Sequence, residues 1–382
     1  MRLLGEPSRR ELLASGAALF ATVSSSQIDA VPVPRQEIGV NMYDLFMVWL
    51  WGGDIRISPP KLATLGQLGI PFVRFPASGQ FAEHWRRLER DPKSWWSTMD
   101  TLFVAAEHNG VMLVPSIFWE PASLSLYLGE PVRAWGNATS RTRRFARAYA
   151  NAFVRRYRHS PAVLMWEFGN EMNIWADWPR SIEWWPRADP SVTHINSLDD
   201  AVTSSAVLAA FTDFAEIVCK LDPRSVQTGG DLPRADAWHR AHQAAGRDSR
   251  AQFIENLQAI TPKICRAMSV HLYPARYGGP DNIFSNPKQL LEAFQEAAAE
   301  SGREAFLGEL GVPSIPAETA GSSGERRKFQ DILDAIRASD IRYAAVWDYD
   351  RTKPDAAFNI RYDNARAYQL DAIIQINRET AR

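Results

Sequence analysis

The sequence predicts one (β/α)8 barrel of the TIM type, a single α/β domain over residues 35–382, and three observations predict it. Eight short apolar runs recur along the chain, each followed by an amphipathic helical stretch. No Pro/Gly/Ser-rich linker or shift of composition divides them. No Gly-rich phosphate loop follows the first run, as a doubly wound open sheet, the main rival, would want.

In chain order, the first strand is Ile38–Met42, with a helix over Lys61–Leu68 closed by Gly69 in the left-handed position that ends many helices. Phe72–Pro76 and Trp95–His108 form the second unit, again ended by a glycine, Gly110. Val111–Ile117 with Thr142–Tyr157 and Val163–Phe168 with Leu208–Leu221 are the third and fourth. Their strands are followed by long connections, Glu120–Ser140 and Asn173–Ser205, and loops after strands build the active face of such a barrel. Ser225–Gly229 with Ala251–Ile260 is the fifth unit. Met268–Tyr273 precedes a helix over Pro287–Ala299, where Asn286-Pro287 reads as an N-cap followed by Pro at the first helical position. Ala305–Leu310 with Arg326–Ala338 and Tyr343–Trp347 with Ala365–Ile376 complete the eight.

Lys plus Arg (43) nearly balance Asp plus Glu (44) in 382 residues, and no basic run compensates, so nucleic-acid binding has no electrostatic basis. No stretch of about eighteen apolar residues offers a membrane-spanning helix. Fourteen Trp suit both a core and a groove for sugar rings, whose C–H faces are apolar. Residues 1–34 read as an export signal and linker: Arg9-Arg10 precede a modestly apolar run, Ala14 to Val23, and small residues. The adjacent arginines resemble the twin-arginine type, so the expected location is periplasmic or secreted. Cys219 and Cys265 make no disulfide framework and lack zinc-ligand spacing; whether they pair is left open.

The fourth strand runs into Trp166-Glu167-Phe168-Gly169-Asn170-Glu171, and the seventh into Gly308-Glu309-Leu310-Gly311. With an Asn-Glu pair after strand four and a Gly-Glu-x-Gly segment at strand seven, the chain resembles the retaining glycoside hydrolases of clan A, most closely family 5 of cellulases and mannanases. The likeness spans roughly residues 37–378. Spacing agrees with it, since Glu171 and Glu309 are about three βα units apart and so face each other across a barrel mouth. Retaining hydrolysis needs two carboxyls about 5–5.5 Å apart, one protonated and one ionised. The resemblance implies Glu171 as acid/base and Glu309 as nucleophile. Glu167, four residues before Glu171, reads as an inner-barrel residue pairing with Arg74.

The same resemblance implies the supporting residues. Asn170 binds the sugar 2-hydroxyl, Arg74 lies near the nucleophile, Tyr273 sits on the nucleophile, His271 sits near the acid/base, and Trp347 floors the cleft. Many family members carry a His at the end of strand three; here that segment is Phe118-Trp119-Glu120, and Trp119 is the candidate to replace it by stacking. Trp175, Trp178, Trp184 and Trp185, together with Trp166, are candidate outer subsites, and Trp49 and Trp51 candidate extensions of the groove. The expectation is therefore a β-glycosidase acting on β-linked glucan or mannan without metal or cofactor, with carbohydrate as its partner and a monomeric state. An exo-acting glycosidase or transglycosylase on the same barrel, and a non-catalytic carbohydrate-binding barrel, are the alternatives.

Overall fold

The structure is a computed structural model that describes residues 36–178, 201–223, 225–231, 234–273, 283–314, 319–352 and 357–380. The expected export segment lies outside the described residues. Among the described residues are eight strands: β1 (Glu37–Asn41), β2 (Phe72–Pro76), β3 (Met112–Phe118), β4 (Met165–Gly169), β5 (Val226–Thr228), β6 (Ala267–Leu272), β7 (Glu304–Leu310) and β8 (Tyr343–Val346). All neighbours pair in parallel, in the order β5-β4-β3-β2-β1-β8-β7-β6. Strand β1 joins β2 on one side and β8 on the other, so the sheet curls around. Between β6 and the segment after β5, the His271 N–H donates to the Asp231 carbonyl at 2.8 Å. This is the (β/α)8 architecture the apolar runs predict.

The expected helices all form. Asn286 caps Pro287–Glu300 by accepting from the Gln289 N–H at 3.0 Å, and Gly69, Gly110 and Gly302 take positive φ after their helices. Further short helices lie beyond strand ends, among them Asp44–Leu50, Ala82–Arg90, Pro121–Tyr127, Met172–Trp175 and Ala237–Ala241. Cys219 and Cys265 are free thiols. Among the described residues, no helix is long and apolar enough to cross a membrane.

Two-residue alternation divides the barrel interior into levels. Phe72, Val114, Met165, Phe306 and Ala345 form an apolar cluster inside the ring. Two residues further along four of those strands come Arg74, Ser116, Glu167 and Trp347. An apolar plug therefore fills the interior, and polar side chains stand above it at the C-terminal mouth. The larger apolar core lies outside the ring, between strands and helices.

Candidate active site

Arg74 is the hub of the mouth. Standing on β2 with no exposed surface, its guanidinium reaches four partners. Nε donates to both oxygens of Glu167 at 2.9 and 2.8 Å. Nη1 donates to Asn41 Oδ1 at 2.9 Å and Glu309 Oε1 at 2.6 Å, and Nη2 to Asn170 Oδ1 at 2.8 Å. Burial alone would weaken its hold on the proton, but the charges of Glu167 and Glu309 raise it well above the ordinary arginine value. The expected Arg74–Glu167 pair is thus present, and Arg74 also holds the second glutamate of the cleft.

Glu309 projects from β7, and its other oxygen accepts from the Tyr273 hydroxyl. Both carboxylate oxygens are therefore fixed by donors, which orients the group. Burial keeps the Tyr273 phenol protonated, with further upward pushes from Glu309 and Glu171.

Glu171 reaches the mouth by a route the two-residue alternation does not describe. Strand β4 ends at Gly169, and Glu171 stands at φ 49°, ψ 30°, immediately before the short helix Met172–Trp175. A left-handed conformation costs a non-glycine residue about 1–3 kcal/mol. It is held here by the Glu171 N–H donating to the Gly230 carbonyl at 2.6 Å. The Glu171 side chain is 16% exposed, against 4% for Glu309, so one carboxyl meets the cleft and the other is enclosed.

His271 on β6 links the two glutamates. Its Nδ1 lies 2.9 Å from Glu171 Oε1 and 3.6 Å from Glu309 Oε2. Burial pushes the imidazole down to about 3, so it is neutral at ordinary pH. As the Nδ1–H tautomer it donates to ionised Glu171; as the other it accepts from the protonated acid. Space for the ring comes from Gly308, where a Cβ would stand 3.0 Å from His271 Nε2 and 2.9 Å from Ser269 Oγ.

One oxygen or nitrogen each from Glu171, His271 and Glu309 lies within 4.8 Å of the other two. The approach of these nearest atoms is compatible with the roughly 5–5.5 Å carboxyl spacing of double displacement. The three groups also have metal-ligand spacing. The Arg74 guanidinium already supplies a positive charge 2.6 Å from Glu309.

The wall beside the carboxyls is aromatic. Trp119 and Trp347 lie nearly parallel, centroids 6.1 Å apart and planes 18° apart, and the Tyr43 edge meets both. Arg74 sits 5.0 Å from the Trp119 centroid. Trp51 extends the wall at 5.7 Å from Tyr43. Trp49 belongs instead to the outer layer, under Arg87 at 3.7 Å and against Phe46 and Trp95. Trp166 is likewise a core residue, fully buried with its indole N–H on Asp222 at 3.1 Å. It points to the outer layer because its neighbours Met165 and Glu167 take the inward positions. Trp175 and Trp178 are half-buried, stacked 6.4 Å apart, with Arg234 and Arg240 at 5.6 and 5.2 Å from the Trp178 ring. Trp184 and Trp185 lie outside the described residues.

Asn41 and Tyr43 are site residues the sequence reading passed over. Asn41 accepts from Arg74 and donates to the carbonyls of Gly308 at 3.1 Å and Ala345 at 3.3 Å, tying β1 to β7 and β8. A polar residue in the apolar run Ile38–Met42 was the available signal.

No family model matches the chain. Mannan endo-1,4-β-mannosidase F of Aspergillus clavatus is 25% identical over 295 residues, which are 73% of this chain and 58% of that protein. The chain thus spans under two thirds of that relative's length. Among solved structures, the hyperthermostable endo-1,4-β-D-mannanase of Thermotoga petrophila superposes with a TM-score of 0.64 at 15% identity, covering 89% of this chain and 99% of that one. An exo-β-1,4-mannosidase from an Opitutaceae bacterium gives 0.60 at 16% identity, over 91% and 60%. These structural likenesses establish the fold.

Proposed function

We propose that the chain is a retaining β-glycoside hydrolase, with β-1,4-linked mannan or its oligosaccharides as substrate. The observation that carries this reading is the approach of Glu171 and Glu309 within 4.8 Å of each other, each hydrogen-bonded to its own positioning side chain. The choice of mannan over glucan draws support from the mannanases named above.

In the first step Glu309 attacks the anomeric carbon while Glu171 gives its proton to the departing oxygen. Arg74 and Tyr273 hold the attacking carboxylate in one orientation. Asn170, with its carbonyl oxygen engaged by Arg74, turns its amide N–H groups to the sugar 2-hydroxyl, a bond that strengthens in the transition state. In the second step Glu171, the more open carboxyl, takes a proton from water as that water displaces Glu309. The Trp119–Trp347 wall supports the sugar ring by its C–H faces.

Proton NMR of the earliest product, before mutarotation, tests the reading. A β-linked substrate yields the β-anomer first, and a mechanism-based fluorosugar labels Glu309. Appearance of the α-anomer first would overturn the assignment. Product sizes from mannan against mannooligosaccharides separate endo from exo action.

We also propose export by the twin-arginine route, from Arg9-Arg10 and the apolar run that follows. Replacing both arginines by Lys leaves the protein in the cytoplasm with its leader attached; a double variant exported at the wild-type level would refute the route.

A further inference from the structure

Tyr273, which donates to Glu309, is itself held in a corner. Its ring and that of Phe358 meet at 71° with centroids 5.4 Å apart, and Ile174 and Trp347 pack against the buried pair. Gly311, two residues past Glu309, lies where the two rings meet. A Cβ there would stand 3.1 Å from Phe358 Cδ1 and 3.2 Å from Tyr273 Cε1, so the missing side chain lets both rings close on the backbone. Phe358 belongs to the segment 357–360, which follows β8 and is tied down at both ends. The Ile360 N–H donates to the Asp348 carbonyl at 2.9 Å, and the Asp350 N–H donates to the Ile360 carbonyl at 3.0 Å. The Ala357 carbonyl accepts from the Ser314 N–H at 3.0 Å and from Arg366 Nη2 at 2.8 Å. Arg366 is buried, donates also to the Ser314 hydroxyl at 2.6 Å, and has its counter-ion, Glu325 of the helix Ser323–Arg337, 3.5 Å from Nε.

We propose that Phe358 is a positioning residue for Tyr273: the segment 357–360, pinned from outside the barrel by Arg366, sets the Phe358 ring against the phenol and so fixes the hydroxyl that serves Glu309. This rests on the reading of Glu309 as nucleophile. A phenol turns about two side-chain bonds, and its hydroxyl stays on one carboxylate oxygen only where the ring is confined. A displacement of about 1 Å in catalytic machinery costs up to about 10²-fold in rate. Arg74 holds the other oxygen of Glu309 independently, so loosening Tyr273 frees one oxygen and leaves the carboxylate in place. At 2% exposure Phe358 offers a sugar no surface, so its effect on the reaction passes through its neighbours. Of these, Tyr273 bears on the chemical step and Trp347 on the bound sugar, so the two routes separate in kcat and KM. The competing role is the filling of core space alone.

Phe358→Leu removes the flat ring and leaves an apolar side chain in its place, so the fold is kept. On a mannooligosaccharide it should lower kcat about tenfold, with KM within about twofold of wild type. In the Tyr273→Phe background the same substitution should cost less than about twofold, because the hydroxyl it positions is already gone. An equal loss in both backgrounds, a rise in KM alone, or an unchanged kcat would leave Phe358 as core filling and overturn the proposal. A second measurement needs no activity. The Tyr273 hydroxyl proton, held between phenol and carboxylate, exchanges slowly and is the downfield proton resonance absent from Tyr273→Phe. It should broaden or vanish in Phe358→Leu with the fold intact by circular dichroism; an unchanged resonance would overturn the proposal. If wild type proves inactive on every glycoside, the proposed function fails while this resonance still decides whether Phe358 holds the phenol.

Discussion

Arg74→Lys keeps the charge and removes the fork. The guanidinium serves Glu167, Asn41, Glu309 and Asn170 at 2.6 to 2.9 Å. An ammonium has three donors on one atom, so it cannot reach four partners arranged around a plane. At least one partner is abandoned, and the spread of directions makes two the expected number. A buried hydrogen bond to a charged group contributes about 1.5–3 kcal/mol, so the loss in stability should be about 3–5 kcal/mol, the scale of breaking a buried ion pair. Equilibrium urea unfolding measures this as a fall in midpoint at unchanged m. If Glu309 or Asn170 is among the abandoned partners, kcat/KM falls about 10²-fold or more as well, the scale of one lost preorganised donor. A variant within about 1 kcal/mol of wild type in stability and about tenfold in kcat/KM would refute the view that Arg74 holds this site together through its geometry.

Three further outcomes are expected. Glu171→Ala loses most activity on substrates with poor leaving groups and much less on activated aryl glycosides, with partial rescue by azide; equal loss on both would remove Glu171 from the acid/base role. Tyr273→Phe removes one of the donors fixing Glu309 and lowers kcat about 10- to 100-fold with the fold intact by circular dichroism, whereas an unchanged kcat would make that hydroxyl incidental. Gly230→Ala places a Cβ 2.2 Å from the Gly169 carbonyl oxygen at φ +114°, so it displaces the turn that accepts from the Glu171 N–H; soluble protein with wild-type activity would contradict that packing.

All eight strands were legible because parallel strands covered on both faces read as continuous apolar runs. Arg74, Glu167 and Glu309 stand out in the sequence as charges in runs that otherwise tolerate none, while the roles expected of Arg74 and Glu309 came from the resemblance. The short helices beyond strand ends were not legible. Ala82–Arg90 is mostly charged and buries only Ala82, His84 and Trp85, and Pro121–Tyr127 carries the Pro and Ser of a loop. Tryptophan was the least informative residue. Trp166 and Trp49 belong to the outer layer and Trp119 and Trp347 to the cleft, and only the inward or outward phase of each position separates them.

The apolar plug beneath the polar level bears on how this scaffold tolerates change. Phe72, Val114, Met165, Phe306 and Ala345 close the barrel from below, so the ion-paired side chains above them meet solvent only through the mouth. Water arriving from one side gives the reaction a single door, and side chains at that door can be exchanged without disturbing the seal. A library that spared the Arg74 network and varied the more open positions around the mouth would therefore sample catalytic variety at nearly constant fold stability. One that reached two residues deeper would trade in stability alone.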